Sequence, residues 1–384
     1  MPENKDNKTV AVSNGIAADT VFGAVTPPLY LSSNYAFQQF EAAQQYEYSR
    51  TSNPTRELLA DTVAKLEGGV AAVVTASGMA ALHLVLSSLA VGDRVLAPHD
   101  CYGGTHRLLT SLRDKGQLAP DFVDQSDPAA LGSAFYKKPA LVLVETPSNP
   151  LMRVVDIRTI ARLAKEAGAK LAVDNTFLSP ALQQPIELGA DMVIHSTTKY
   201  LNGHSDVVGG IVVSASPDDD EKLKSWANLI GVTGSPFDAY QRLRGVRTLF
   251  ARIERQQRTA GLIATMLSRR KEVSRVYYPG LPSDPGHALA SKQQKGFGAM
   301  LSFELDGGIG AVRNFVRGLK IITLAESLGG VESLIAHPST MTHAGMGNEA
   351  RQVAGIRDGL LRMSVGLEAE MDLLGELSDC LDNL

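Results

Sequence analysis

Between about residue 57 and residue 215, short apolar runs take turns with helix-patterned segments, and no other feature of the chain limits its possible folds so tightly. The runs are Ala71–Thr75, Arg94–Ala97, Phe122–Val123, Leu141–Glu145, Leu171–Asp174, Met192–His195 and Gly210–Val213. Between them lie helical patterns over Glu57–Glu67, Met79–Ala90, Thr105–Lys115, Ile157–Ala167 and Pro180–Leu188. A continuous apolar run reads as a strand buried on both faces, and a helix between two such strands is a parallel crossover. The pattern therefore predicts an α/β fold, a mostly parallel seven-stranded sheet with helices on both faces. Residues 1–60 show little periodicity and carry the breakers Pro27-Pro28 and Asn53-Pro54, which predicts an extended N-terminal arm. Beyond Asp218 the pattern is helical to about Lys271, with the charge-rich Arg242–Arg258 stretch as one long helix joining two halves. Strands at Ala299–Leu305 and Leu360–Val365 among helices predict a smaller C-terminal α+β domain. The expected division is an arm over 1–60, a sheet domain over 61–255 and the α+β domain over 256–384.

With 384 residues the chain is long enough to bury roughly three quarters of its unfolded surface. A net charge of −4 leaves no basic excess, so nucleic acid is not an expected partner. Two cysteines without Cys-x-x-Cys spacing suggest neither a disulfide framework nor a zinc site, and the eight histidines show no metal spacing. No metal is expected. The polar N-terminus lacks an apolar signal core. The stretch Val70–Val91 is interrupted by Thr75, Ser77, Gly78, His83, Ser87 and Ser88, so no membrane span is expected either. A cytoplasmic location follows as the expectation. The glycine-rich and nucleophile-elbow motifs of dinucleotide, nucleoside triphosphate and serine hydrolase sites are missing, as is the His-Glu-x-x-His of zincins.

The chemistry concentrates in Asp191-Met-Val-Ile-His195-Ser196-Thr197-Thr198-Lys199-Tyr200-Leu-Asn-Gly203-His204-Ser205. An apolar strand delivers one lysine into a cluster of hydroxyls. Alone, Thr198-Lys199-Tyr200 is what an ordinary solvated turn looks like, since lysine is normally hydrated. Desolvated, however, its pKa falls from about 10.4 and the amine becomes a nucleophile toward an aldehyde. The preceding strand, Leu171-Ala-Val173, ends in Asp174, on the sheet edge where ligands of parallel sheets bind. A lysine for an aldehyde, an acid for a ring nitrogen, and hydroxyls of Ser196 and Thr198 for a phosphate together fit pyridoxal 5'-phosphate.

Three further segments are consistent with that site. Ala71–Thr75 turns through Ser77-Gly78-Met79 into a helix whose free N–H groups and dipole suit a phosphate, with Gly78 allowing close approach. Asp100-Cys101-Tyr102-Gly103-Gly104 puts a tyrosine before two glycines at another strand's end, with a clear path to a flat ring; Cys101 reads as a small buried residue. Leu360-Leu-Arg362-Met-Ser-Val-Gly366 places one arginine in an apolar strand, and a buried arginine needs an anion, whether a structural carboxylate or a ligand.

The run Asp191–Ser205, with Val173-Asp174-Asn175, Tyr46-Glu47-Tyr48-Ser49-Arg50 and Thr323-Leu-Ala-Glu326-Ser327-Leu-Gly-Gly, resembles the Cys/Met metabolism family of pyridoxal phosphate enzymes, of fold type I in the aspartate aminotransferase superfamily. The likeness runs from Pro27 to Gly366. It implies that Lys199 carries the cofactor and acts as catalytic base and acid, and that Asp174 keeps the pyridine nitrogen protonated. It implies that Gly78, Met79, Ser196 and Thr198 bind the cofactor, and that Tyr102 stacks on the ring and assists proton transfer. Tyr48 and Arg50 are implied to reach the phosphate in a neighbouring subunit, so that 61–255 is the cofactor domain of a homotetramer, a dimer of dimers with shared sites. Arg362 is implied to clamp a substrate α-carboxylate, with Asn149 and Ser327 beside it. His195, His204 and His343 read as structural.

Within that family the likeness to members that join O-succinyl- or O-acetyl-L-homoserine to L-cysteine, giving L-cystathionine on the route to methionine, is carried by Ala97–Gly104, Gly231-Val-Thr-Gly234 and Lys295–Met300. Amino-acid substrates are the implied small-molecule partners. Glu47 and Glu326 fit a distal ammonium and so leave open the members that cleave cystathionine by γ-elimination. Arg107, on the helix after Tyr102, is the candidate for the distal carboxylate of a succinyl group, or else a partner in a surface salt bridge. A scaffold of the same fold without cofactor is the remaining reading.

Overall fold

The seven strands β1 (Ala71–Thr75), β2 (Arg94–Pro98), β3 (Ala119–Val123), β4 (Leu141–Glu145), β5 (Lys170–Asp174), β6 (Met192–Ser196) and β7 (Gly210–Ser214) form one sheet in the order β1-β7-β6-β5-β4-β2-β3. These come from a computed structural model that describes residues 5–384. Strands β2 to β6 pair in parallel, while β7 runs antiparallel to both β6 and β1. A second sheet has the order β10-β11-β12-β9-β8, from β8 (Val273–Tyr277), β9 (Met300–Leu305), β10 (Thr323–Leu324), β11 (Leu334–Ala336) and β12 (Leu360–Ser364).

Among the described residues the helices are α1 (Asn7–Ser13), α2 (Pro54–Glu67), α3 (Gly78–Ser87), α4 (Gly103–Asp114), α5 (Pro128–Tyr136), α6 (Ile157–Ala167), α7 (Ser179–Leu182), α8 (Pro217–Ile230), α9 (Pro236–Val246), α10 (Leu249–Leu267), α11 (His287–Gln293), α12 (Gly308–Gly318), α13 (Asn348–Ala354) and α14 (Glu370–Asp382). None is long and apolar enough to cross a membrane. The large sheet is covered on both faces, as its unbroken apolar strands require. Val73, Val95, Leu143, Ala172, Ile194 and Val212 pack with α3, α4 and α8. On the opposite face Leu96, Val142, Val144 and Val173 meet α5 and α6, and Val193, Ile211 and Val213 join the core shared with α2, α9, α10 and the second sheet.

Local chemistry sets the ends of the helices. Asn53 accepts from the N–H groups of Thr55 and Arg56 and Pro54 occupies the first turn, so α2 starts there; it stops at Gly68, whose φ of 75° suits glycine. Ser77 caps α3 by accepting from Ala80 N–H at 3.0 Å.

Three sequence expectations are corrected. The arm is not extended throughout: Asp6 caps α1, and Asn7 Nδ2 donates to Leu66 O at 3.0 Å, docking it on α2. The single helix expected over Arg242–Arg258 is α9 followed by α10. At the break Thr248 N–H turns back to Gly245 O at 3.1 Å and Arg252 Nη2 takes the same carbonyl at 2.8 Å, while Gly245 packs so closely on Asn202 that a Cβ would lie 2.1 Å from Asn202 O. The helix expected over Pro180–Leu188 is one turn, α7, then a 3-10 turn over Pro185–Leu188, because Pro185 has no N–H to continue the ladder.

Candidate active site

Because β7 reverses direction between β1 and β6, the carboxyl ends of β1, β2, β4, β5 and β6 all meet at one edge of the large sheet. The loops leaving those ends line a cavity of about 470 Å³, and Arg362 from β12 closes it from the second sheet. Of the sequence-predicted residues, Gly78, Met79, Tyr102, Arg107, Asn149, Asp174, Ser196, Thr198, Lys199, Glu326, Ser327 and Arg362 all line it.

Lys199 leaves the turn after β6 and donates from Nζ to Ser327 Oγ at 2.7 Å. Burial holds its pKa down to about 8, helped by the Arg362 charge and opposed by Glu326. An amine near neutrality exchanges protons in both directions at working pH. Ser327 is held at φ 87°, a conformation costly for a residue other than glycine, and the backbone reversal there sends its hydroxyl to Lys199 and its carbonyl to Arg362 Nη2 at 2.8 Å. Arg362 also donates from Nη1 to Asn149 Oδ1 at 3.0 Å. It is 3% exposed, its Nε has no acceptor, and no carboxylate pairs with it among the described residues. Burial lowers its pKa to about 10, so the guanidinium stays charged and is left open to an incoming carboxylate.

Asp174 and Glu145 end neighbouring strands in register, side by side in the cavity wall. Burial raises both pKa values, and the charges of Asp174 and Asp100 raise that of Glu145 further. Asp174 accepts from Thr176 N–H at 3.0 Å. Glu145 accepts from Tyr102 N–H at 2.9 Å and Asn149 N–H at 3.0 Å, tying the two loops together. The sequence reading did not select Glu145; the available signal was an acid closing an apolar run beside the strand that ends in Asp174.

Gly78 has a tighter requirement than ligand approach. A Cβ there would fall 2.7 Å from Ser196 Cβ, so the start of α3 abuts the end of β6 and the two build one cup. Thr198 closes it, its Oγ1 accepting from Gly209 N–H at 2.9 Å. Gly104 leaves space for the Tyr102 ring: a Cβ would meet Tyr102 Cε1 at 2.5 Å and Met79 Sδ at 2.9 Å. His343, read from the sequence as a structural group, is 0% exposed, with Nε2 3.0 Å from Asn149 O.

The cavity fits pyridoxal phosphate by its donor set: an amine of lowered pKa for the aldehyde, a recessed acid for the ring nitrogen, and a helix N-terminus with hydroxyls for the phosphate. Three predicted residues are not brought there in their own chain. Glu47 and Tyr48 are exposed in the arm, and Arg50 donates from Nη1 to Asn228 O at 2.7 Å and Oδ1 at 2.5 Å.

The chain is similar to known proteins along nearly its whole length. The family described as Cys/Met metabolism PLP-dependent enzyme matches residues 8–382. The chain is 55% identical over 372 residues to the cystathionine gamma-synthase of Escherichia coli K12, covering 97% of this chain and 96% of that one. It is 47% identical over 375 residues to a cystathionine beta-lyase of Lactococcus lactis subsp. cremoris, covering 98% of each. A crystal structure of cystathionine gamma synthase from Xanthomonas oryzae pv. oryzae, in complex with aminoacrylate and cysteine, matches with TM-score 0.98 and 55% identity over 99% of this chain and 98% of that one.

Proposed function

The chain belongs to the Cys/Met metabolism PLP-dependent enzymes, and from that premise we propose that it joins an O-acylated L-homoserine, O-succinyl or O-acetyl, to L-cysteine, releasing the acid and giving L-cystathionine. Its cofactor is pyridoxal 5'-phosphate. The observation that carries the reading is the polar chain Lys199–Ser327–Arg362 in a cavity that also holds Arg107, a base with one guanidinium beside it and a second on the same wall. The similarity to a synthase at 55% identity supports synthesis over cleavage.

When bound, the cofactor supplies an electron sink that stabilises negative charge at the substrate α-carbon. The residues of the chain supply the rest. Arg362 takes the α-carboxylate, oriented by Asn149 Oδ1 and Ser327 O, and so presents the Cα–H bond to Lys199. Lys199 Nζ would take the Cα proton, hand it on to the bound cofactor and so be free again to take a Cβ proton; with its pKa about 8 it would return each in the second half of the reaction. The Cγ–O bond breaks with its electron pair leaving on the carboxylate, and the cysteine thiolate forms the Cγ–S bond. Ser327, bonded to Nζ, holds the amine in place between transfers. Asp174 would hold a proton on the ring nitrogen of the bound cofactor, and Tyr102, whose N–H donates to Glu145, would supply an aromatic surface for the ring. Tyr48 and Arg50 serve the phosphate of a neighbouring subunit, in a dimer of dimers built from the arm, the cofactor domain and the C-terminal domain.

Cleavage of cystathionine is the second reading, favoured by the beta-lyase similarity and by Glu326, an acid on the cavity rim suited to a distal ammonium. One preparation assayed for both directions decides between them. Cystathionine formation from O-succinyl-L-homoserine and L-cysteine is expected to outpace cystathionine cleavage under the same conditions; faster cleavage makes the protein a lyase.

A further inference from the structure

Arg242 is 0% exposed, and it has no acid to explain its burial. Its guanidinium donates from Nε to Asp238 O at 3.0 Å, and from Nη1 to Thr197 Oγ1 at 3.1 Å and Thr75 O at 3.4 Å, while Nη2 has no partner. Every acceptor is a neutral oxygen. Asp238, one helical turn earlier, is the acid whose charge reaches it most, yet no ion pair forms between them. A second guanidinium deepens the deficit: Arg56, 7% exposed, donates to Gly234 O at 3.4 Å, and Gly234 packs against Arg242, where a Cβ would lie 3.1 Å from Nη2. Taking an arginine charge out of water is unfavourable by several kcal/mol unless an anion compensates it.

The position says which anion. Thr75 ends β1 immediately before the Ser77-Gly78 turn, and Thr197 lies between Ser196 and Thr198, so Arg242 touches both backbone arms of the cup from behind. The glycines around it make room for the charge. A Cβ at Gly209 would fall 2.2 Å from Arg242 Nη1, and Gly209 is the residue whose N–H holds the Thr198 hydroxyl. We propose that Arg242 is a positioning residue for the cofactor phosphate, a buried counter-charge behind the cup that acts through Thr75 and Thr197 and favours the phosphate as a dianion. The proposal rests on the assignment of the phosphate to that cup.

The test compares pyridoxal phosphate with pyridoxal, which lacks the phosphate, binding to the full chain after cofactor removal. Replacing Arg242 by Met should weaken pyridoxal phosphate about tenfold or more, since the field of a buried charge is poorly screened, and change pyridoxal less than about threefold, because a ligand without the phosphate has no dianion for that field to act on. Should Arg242→Met not fold, Arg242→Gln keeps a buried hydrogen-bonding group without the charge and carries the same comparison. In the reloaded variant the phosphorus resonance of the bound cofactor should titrate at higher pH than in the unmodified enzyme, because a phosphate monoester titrates near 6 and a nearby cation lowers that value. A merely structural arginine would lower both affinities equally and leave the titration in place; equal losses, no loss, or an unmoved titration overturn the proposal. Gly78→Ala separates this failure from that of the site itself. If Gly78→Ala erases the preference for the phosphorylated ligand and the Arg242 variants keep it, only the counter-charge is wrong; if Gly78→Ala keeps it too, the cup is not where the phosphate binds.

Discussion

A lysine amine in a cavity wall is a liability to the folded chain as well as a reagent. Lys199 has a native pKa of about 8, against about 10.4 for an unfolded lysine. Below pH 8 the folded state carries the charge in a desolvated place, at a penalty of about 3 kcal/mol; as pH rises from 8 to 10.4 the unfolded state alone keeps the proton and the penalty disappears. Lys199→Met is therefore expected to abolish turnover while making the cofactor-stripped protein more stable at pH 7, with the gain shrinking by pH 9.5. Urea denaturation of the stripped proteins at the two pH values measures this, and equal stability at pH 7 would contradict it. Arg107 is testable through substrate choice. Charge-assisted hydrogen bonds to a carboxylate contribute about 1.5 to 3 kcal/mol, so Arg107→Ala should raise KM for O-succinyl-L-homoserine about tenfold and leave O-acetyl-L-homoserine nearly unchanged. Equal changes for the two donors would remove Arg107 from the succinate role. At this scale the sequence made Lys199, Asp174 and Arg362 legible, because each is a charge set in or after an apolar run. Glu145 was not, because its place beside Asp174 is created by strand register, which no local pattern expresses.

Among the elements, strands were read well and helix breaks poorly, for one physical reason. A strand buried on both faces must be apolar along its length, and β4, β5 and β6 are; at the break between α9 and α10 the Gly245 carbonyl is instead taken by the Arg252 side chain, on a glycine packed against the distant Asn202, which no local pattern expresses. The short α5, whose Ala129, Ala130, Leu131, Ala134 and Phe135 offer little polar contrast, left no period to read. The segment after β11 shows how such contacts carry function. His343 donates from Nε2 to Asn149 O at 3.0 Å and, in that tautomer, its Nδ1 accepts from the Thr342 hydroxyl at 2.9 Å, fastening the cavity-lining Met341-Thr342 segment to the loop after β4. Burial pushes its pKa down to about 4, so the folded state resists the proton that an unfolded histidine takes up near 6.5. Stability from this group is intact above pH 6.5 and is lost as pH falls from 6.5 to 4. His343→Gln is expected to flatten that part of the acid limb, read as the urea midpoint from pH 7 to 4.5; an unchanged slope would place the acid sensitivity elsewhere.

For the whole molecule, the arm is the part on which the proposed assembly of subunits rests. Phe22 is 90% exposed and Phe40 89%, and Arg50 and Tyr48 face away from their own cavity, stacked 5.7 Å apart. These aromatic side chains are apolar surface that the proposed subunit interface would cover. If Arg50 serves the neighbouring site, chains carrying Lys199→Ala and chains carrying Arg50→Ala are each inactive, yet hybrid dimers contain one complete site. Mixing them under conditions of subunit exchange should restore activity, up to about a quarter of normal if half the chains pair as hybrids with one working site each; no recovery after exchange verified by mass would show that the site is not shared. The meeting of α3 with β6 through Gly78 and Ser196 also sets a timetable for the ribosome. Strands β2 to β5 separate the two halves of the cup in the chain, and β12, which brings Arg362, follows much later. Synthesis runs from the N-terminus, so the cup proposed for the phosphate cannot close until β7, which pairs between β1 and β6, has left the tunnel, and the arginine proposed for the substrate carboxylate follows only near the end of translation. The proposed grip on the cofactor is thus encoded ahead of the proposed grip on the substrate, and a chain released before β12 would lack the second whatever became of the first.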